Sequence, residues 1–263
     1  MVSGSPVVDP PASESPSVDK SDRRVRSMFA SIAGRYDLLN RVLSLNIDTS
    51  WRRFTTRTVP PLPGLPVLDC CTGTADLALD YHAVSRGRSK ILGADFCREM
   101  LVVGRQKVLN AGADESVTLV EGDTQRLPVP DNTFGVVTVA FGLRNVADTV
   151  LGIDEMVRAA APGGKVAILE FSRPTNPILS RIYLTFFRRI LPKVGQTLAP
   201  NQYDAYRYLP ESVLQFPDGQ RMLDLLASRG LINLVGHPLT FGIATLYVGT
   251  KPGQLSTTER KES

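Results

Sequence analysis

Between Val67 and Phe171 short β-rich runs alternate with helical stretches, and this rhythm restricts the fold more than any other feature of the chain. The runs span 67–70, 90–94, 117–120, 134–140 and 165–171. Helical periodicity begins near Asp76, covers Met100 to Asn110 and passes through Asp154 and Met156. Such alternation means βαβ crossovers and a mainly parallel sheet, because a parallel neighbour is reached only through a long connection, usually a helix. Ligands of doubly wound sheets gather beyond the carboxyl ends of the strands, where the strand order reverses. The chemistry is therefore expected just after the first four runs.

The flanks add a helical cap and a hairpin. Val25, Met28, Phe29 and Ile32 recur at helical spacing, followed by Leu38, Leu39, Val42 and Leu43 behind Asp37 as an N-cap, so residues 22–58 read as a helical extension. Four prolines and a glycine in VPPLPGLP, residues 59–66, close it off. Leu231 to Thr250 is free of charge and as long as a membrane span, but His237-Pro238 and three glycines split it into two β-rich runs, which reads as a buried hairpin. Residues 1–21 are rich in Pro, Ser and acids and lack the apolar segment of a secretory signal; they and residues 252–263 are expected to be disordered tails around one domain, 22–251. A hydrophobic content of 43% in 263 residues suffices for a full core. The formal charge of +4 is too mild to require nucleic acid. Three cysteines, two of them adjacent at Cys70 and Cys71, give no disulfide framework and fit a reducing cytoplasm.

The first strand runs into a helix through VLDCCTGTADLAL, with Asp69 at the strand end and Gly73 where backbone must approach a ligand closely. A glycine turn alone is weak evidence, but its partners sharpen it. Asp95 ends the second strand, where a carboxylate can accept both ribose hydroxyls of an adenosine ligand; a helix N-cap is its structural alternative. Asp123-Thr124 follows the third strand, where an acid accepts from an adenine amino group and a backbone amide meets the ring nitrogen; a solvated turn is the alternative there. Acids at these positions disfavour a pyrophosphate and favour a cation. S-adenosylmethionine carries a sulfonium and an ammonium, and a carboxylate about 4 Å away attracts such a charge by roughly 1 to 4 kcal/mol.

Five stretches resemble the ubiquinone/menaquinone biosynthesis C-methyltransferases, the UbiE/MenG family, over roughly residues 26–250: RYDLLNRVLSLNIDTSWRR, VLDCCTGTADLAL, LPVPDNTFGVVTVAFGLRNV, APGGKVAILEFSRP and YRYLPESVLQFPDG. FGLRNV and LEFSRP are the most specific of these. The resemblance implies a class I S-adenosylmethionine-dependent methyltransferase fold: Rossmann-like α/β, with a mainly parallel seven-stranded sheet, a C-terminal antiparallel hairpin, and a helical lid at 177–215. It implies methyl transfer to a ring carbon of a polyprenylated hydroquinone, demethylmenaquinol or the benzoquinol precursor of ubiquinone. Asp69, Gly73, Thr74, Asp95, Asp123 and Thr124 are then the cofactor-binding candidates, and no metal is called for. The chain departs from the family at Ala140 in place of a serine, at Ala75 in place of a glycine, which resists a positive φ, and in lacking the histidine of the N-terminal motif, where Asp48 stands as a substitute base or a helix cap.

Carbon methylation is helped by ionising the ring hydroxyl, whose pKa lies near the tyrosine value of about 10. Arg144, after the fourth strand, is placed to stabilise that phenolate, with Asn145 orienting the ring; pairing with a nearby carboxylate is the structural alternative for Arg144. Tyr36 joins them as a candidate at the substrate pocket, with Tyr203, Tyr206 and Arg207 behind it. His82 and His237 are read as structural. Residues 178–193, with four positive charges and no acid among apolar side chains, read as a basic amphipathic helix that serves as a lid, as a peripheral contact with the inner face of a membrane, or as both. A homodimer is admitted. Methylation of another small acceptor, nicotinamide-cofactor chemistry, and a non-catalytic role in a quinone-synthesis complex are the alternatives to be excluded.

Overall fold

A computed structural model describes residues 22–35, 46–174 and 212–253, together with the isolated positions 176, 181 and 185. The disordered tail expected at 1–21, the periodic set at 38–43 and most of the lid and basic segment lie outside the described residues, as do Tyr36, Tyr203, Tyr206 and Arg207. The chain opens with α1 (Asp22–Ile32), a 3-10 turn (Ala33–Arg35) and α2 (Ile47–Thr58). Then follow β1 (Val67–Cys70), α3 (Asp76–Ser85), β2 (Ile91–Asp95), α4 (Arg98–Asn110), β3 (Val117–Glu121) and β4 (Phe134–Ala140). A 3-10 turn (Leu143–Asn145) leads to α5 (Thr149–Ala159) and β5 (Ala160–Phe171); α6 (Gln220–Ser228), β6 (Ile232–Leu239) and β7 (Ala244–Thr250) complete the order.

The seven strands form one sheet in the order β3-β2-β1-β4-β5-β7-β6. β1 pairs in parallel with β2 and β4, and β5 with β4, whereas β7 runs antiparallel to both β5 and β6. The sequence from Leu231 to Thr250 is therefore a hairpin added to the sheet edge, and among the described residues no helix is long and apolar enough to cross a membrane. The strand order reverses between β1 and β4. Their carboxyl ends diverge into loops on opposite paths and leave a crevice.

Side chains alternate across the sheet with the period of two that a strand imposes. Leu68, Cys70, Val137, Val139 and Ile168 face one core with Ile153, Met156 and Met222. Val67, Val136, Ala167, Leu169 and Leu246 face the other, with Trp51 and Tyr81. β1 and β4 are buried on both faces, as central parallel strands require. Helix ends are closed by side chains as well: Asp148 accepts the Leu151 amide at the start of α5, and Lys251 Nζ donates to the carbonyls of Val157, Arg158 and Ala160 at its end.

Candidate active site

A cleft opens at the carboxyl ends of β1, β2, β3 and β4. The loop after β1 forms its floor. Cys71, Gly73 and Ala75 all take left-handed backbone, with φ of 50°, 55° and 66°. This corrects the expectation for Ala75. Alanine adopts the conformation here in spite of a cost of about 1–2 kcal/mol, its methyl fully buried at the α3 N-terminus. At Gly73 an added Cβ would lie 3.4 Å from Met100 Cε, so a side chain there would crowd the wall of the cleft. Phe141, after β4, takes left-handed backbone as well, at φ 56°, so strained non-glycine residues stand in both loops that border the cleft.

Asp95 ends β2 and is 6% exposed. Its Oδ2 accepts the Gly73 amide and its Oδ1 the Cys97 amide, each at 2.8 Å. An ionised carboxylate offers about four acceptor positions, so two remain, the number a ribose diol requires. Burial pushes this carboxyl up to about 6, against the pull of the two amides. Asp123, after the neighbouring strand β3, also lines the cleft, exposed, with its Oδ1 accepting the Gln125 amide at 2.9 Å. The buried Thr124 hydroxyl lies 3.2 Å from Cys71 Sγ and ties the β3 loop to the β1 loop. Gly73, Asp95, Asp123, Thr124 and Asn145 thus come together in one cleft.

Other expected residues lie behind it. Asp69 points, with Val67, to the α3 side of the sheet, where it accepts a 2.6 Å hydrogen bond from Thr72 Oγ1; it is 1% exposed and is not among the cleft residues. Burial, reinforced by the Asp95 charge, pushes its carboxyl up to about 7, against the hydrogen bond from Thr72. Thr74 is buried too, its hydroxyl accepting from Lys107 Nζ at 3.1 Å, and it braces α4 against the loop. Asp48 does not stand free as a base: it sits within the first turn of α2, with Asn46 at the N-cap position, and pairs with Arg52 at 2.6 Å. Arg52 also reaches Asp76 and Asp80, fastening α2 to α3. His82 bonds to Ser116 and His237 packs against Phe54; neither is among the cleft residues.

Arg144 takes the structural alternative. Its guanidinium is buried against Glu170 at 3.0 Å and donates to the Phe141 carbonyl, its backbone amide also donates to Glu170, and it lies over the Phe171 ring at 5.3 Å. It is not among the cleft residues, and its charge ties the loop after β4 to β5. Asn145, one residue on, does line the cleft. Cys71, Phe29, Phe96, Met100, Phe141 and Gly142 line it as well, although the sequence reading did not single them out as site residues. Phe29 had a visible signal in the helical spacing of α1, and Phe96 in its place directly after Asp95. Trp51, Phe141 and Phe171 stack with centroids 4.6–6.1 Å apart and support the same wall from α2 and β5.

Comparison with known proteins places this geometry. Solved structures with the same fold include a SAM-dependent methyltransferase from Thermotoga maritima, at 14% identity and a TM-score of 0.59 over 86% of this chain and 99% of that one. Another is phosphoethanolamine N-methyltransferase 2 of Haemonchus contortus in complex with S-adenosyl-L-methionine, at 16% identity and a TM-score of 0.56 over 77% of this chain and 52% of that one. The ubiquinone/menaquinone biosynthesis C-methyltransferase UbiE of Geobacter sp. (strain M21) is 42% identical over 89% of this chain and 99% of its own length. The demethylmenaquinone methyltransferase of Deinococcus radiodurans is 43% identical over 89% of this chain and 95% of its own. A family model covering residues 17–251 matches as well, and with it the chain belongs to the ubiE/COQ5 methyltransferase family.

Proposed function

We propose that this chain is an S-adenosylmethionine-dependent C-methyltransferase that converts demethylmenaquinol, or the related benzoquinol, to its ring-methylated product. The observation that carries the reading is the cleft itself: the buried Asp95 carboxylate, with two acceptor positions to spare, shares it with the buried Asn145 side chain across the β1/β4 switch point. Asp95 suits a ribose diol. Asp123 and the Thr124 amide suit the edge of an adenine ring, and Phe29, Phe96 and Met100 supply apolar surface for its faces. S-adenosylmethionine supplies an activated methyl group bound to a sulfonium.

The chain's own part is placement. The loop after β4 brings Asn145 and Phe141 against the acceptor ring, and the Glu170–Arg144 pair holds that loop, so that a ring carbon can face the methyl group in line. Tyr36 and the segment 177–215 are the candidates for the remaining wall. The polyprenyl tail of the acceptor gives the basic segment 178–193 its proposed role as a contact with the inner face of the membrane, at about 0.8 kcal/mol for each methylene kept out of water. Incubation with methyl-labelled S-adenosylmethionine and a short-chain demethylmenaquinol tests the reading: label is expected on the ring carbon. Cofactor binding without label on any quinol would contradict it.

A further inference from the structure

The hairpin of β6 and β7 turns at Thr240–Gly242, beside Phe171 at the carboxyl end of β5, and so at the same end of the sheet as the cleft. Phe241 at its tip is 78% exposed, the most exposed large apolar side chain among the described residues. It takes left-handed backbone at φ 58°, directly after Thr240 at φ 44°. Bulky side chains are rare in that conformation, and a turn that needed it only for the path of the chain would favour glycine. The turn is held firmly all the same. Thr240 Oγ1 accepts from Trp51 Nε1 at 2.8 Å, the Gly242 carbonyl accepts from Ser172 Oγ at 2.8 Å, and the Ile243 carbonyl accepts the Ser172 amide at 2.9 Å. α2 and the end of β5 thus fix the backbone while the Phe241 ring stays in solvent.

The surroundings narrow what such a ring can meet. Phe141 lines the cleft, Phe171 and Trp51 stack on it, and Trp51 bonds to Thr240, so an aromatic wall leads from the cleft to the foot of the tip. α2 flanks the hairpin. Its Phe54 packs against His237 of β6, and Arg53 and Arg57, one helical turn apart beside Phe54, are exposed. Asp48, the one acid of α2, is buried against Arg52, and residues 231–250 contain no Asp, Glu, Lys or Arg. The edge therefore combines protruding aromatic surface with positive charge. A stable protein interface is built around a contiguous apolar core, which one raised ring does not provide. An anionic lipid surface takes up aromatic rings at headgroup level and attracts the cations beside them.

We propose that Phe241 and the outer face of α2 dock on an anionic lipid surface, with the Phe241 ring seated among the headgroups and the cleft end of the sheet turned to the bilayer. The surface is separate from the basic segment 178–193. Its purpose, delivery of a polyprenylated acceptor to the cleft, rests on the function proposed above, whereas the docking itself rests on the hairpin and α2.

Trp51 is the one tryptophan of the chain and is buried, so Phe241→Trp adds an exposed indole at the tip as a reporter. The full chain is mixed with phosphatidylcholine vesicles, with and without phosphatidylglycerol, and with brominated acyl chains as quencher. With anionic vesicles the emission of Phe241→Trp is expected to shift to the blue and to be quenched by brominated lipid, while that of the unaltered chain does neither. In co-sedimentation Phe241→Ser is expected to weaken vesicle binding about tenfold, and Arg53→Gln and Arg57→Gln about fivefold each on the anionic vesicles alone. Methyl transfer to a short-chain quinol in solution is expected to be unchanged in Phe241→Ser, and transfer to a long-chain quinol held in vesicles to fall. Equal vesicle binding by Phe241→Ser and the unaltered chain, or no binding by either, would overturn the proposal; so would an emission that shifts with protein concentration and ignores lipid, which would give the tip to a second copy of the chain. Docking without methyl transfer to any quinol removes the proposed function alone, and transfer without docking removes this inference alone.

Discussion

Arg144 shows at the scale of a single residue how burial decides a role. A buried arginine, paired with a fully buried carboxylate, is held by a partner whose removal leaves an uncompensated charge in the core. Replacing Arg144 with Met is expected to cost about 3–5 kcal/mol of stability, and the double change Arg144→Met with Glu170→Met to recover much of it, measured by urea unfolding. A catalytic cation would show the opposite pattern, with activity lost and stability kept. The sequence allowed both readings of Arg144, because FGLRN and LEFSRP lie far apart in the chain and only the pairing of β4 with β5 brings Glu170 beneath the arginine. Asp69 was misplaced for a related reason. Its position at a strand end was legible, but the face to which it points is set by the register of β1, and that face is the α3 side.

Elements were easier to read than residues. The runs at 67–70 and 134–140 coincide with β1 and β4, and α3 begins at Asp76 as expected, because buried parallel strands are continuous apolar runs that a lone sequence displays. β5 begins earlier than the periodicity shows, at Ala160, since Phe134 pairs with Ala160 across a bulge that only the sheet reveals. α6 leaves only a faint trace in the sequence, Met222 and Leu226 at helical spacing after the Gly219 turn. The contact between the β1 loop and the β4 loop was invisible in the sequence. There an added Cβ on Gly142 would fall 2.3 Å from Cys71 Cβ. Gly142→Ala is therefore expected to force the two loops apart, with a loss of about 1–3 kcal/mol in stability and weaker S-adenosylhomocysteine binding, both readable in one set of thermal melts with and without ligand.

At the scale of the whole molecule, buried carboxyls in and behind the cleft couple stability to pH. Asp69 and Asp95 are raised by burial to about 7 and about 6, above the unfolded value near 4. Between about pH 4 and 7 the folded chain thus binds more protons than the unfolded one at these groups. Their contribution to stability is greatest at the acid end and falls as pH rises, with a slope of up to about 1.4 kcal/mol per pH unit for each. Asp218, lowered to about 2 by Arg173 and Arg221 despite its burial, acts in the other direction, but its contribution is lost only below about pH 4. Unfolding midpoints of the ligand-free chain are expected to decline from pH 5 to pH 7.5, and Asp69→Asn to flatten that decline. Ligand should respond in the opposite sense, since Asp95 accepts from a ribose diol best when ionised. The most direct test of the account is calorimetric titration of the unaltered chain and of Asp95→Asn with S-adenosylhomocysteine at pH 8. One site per chain is expected, weakened about tenfold or more by the substitution. No heat of binding to the unaltered chain, or equal affinity in both, would contradict it.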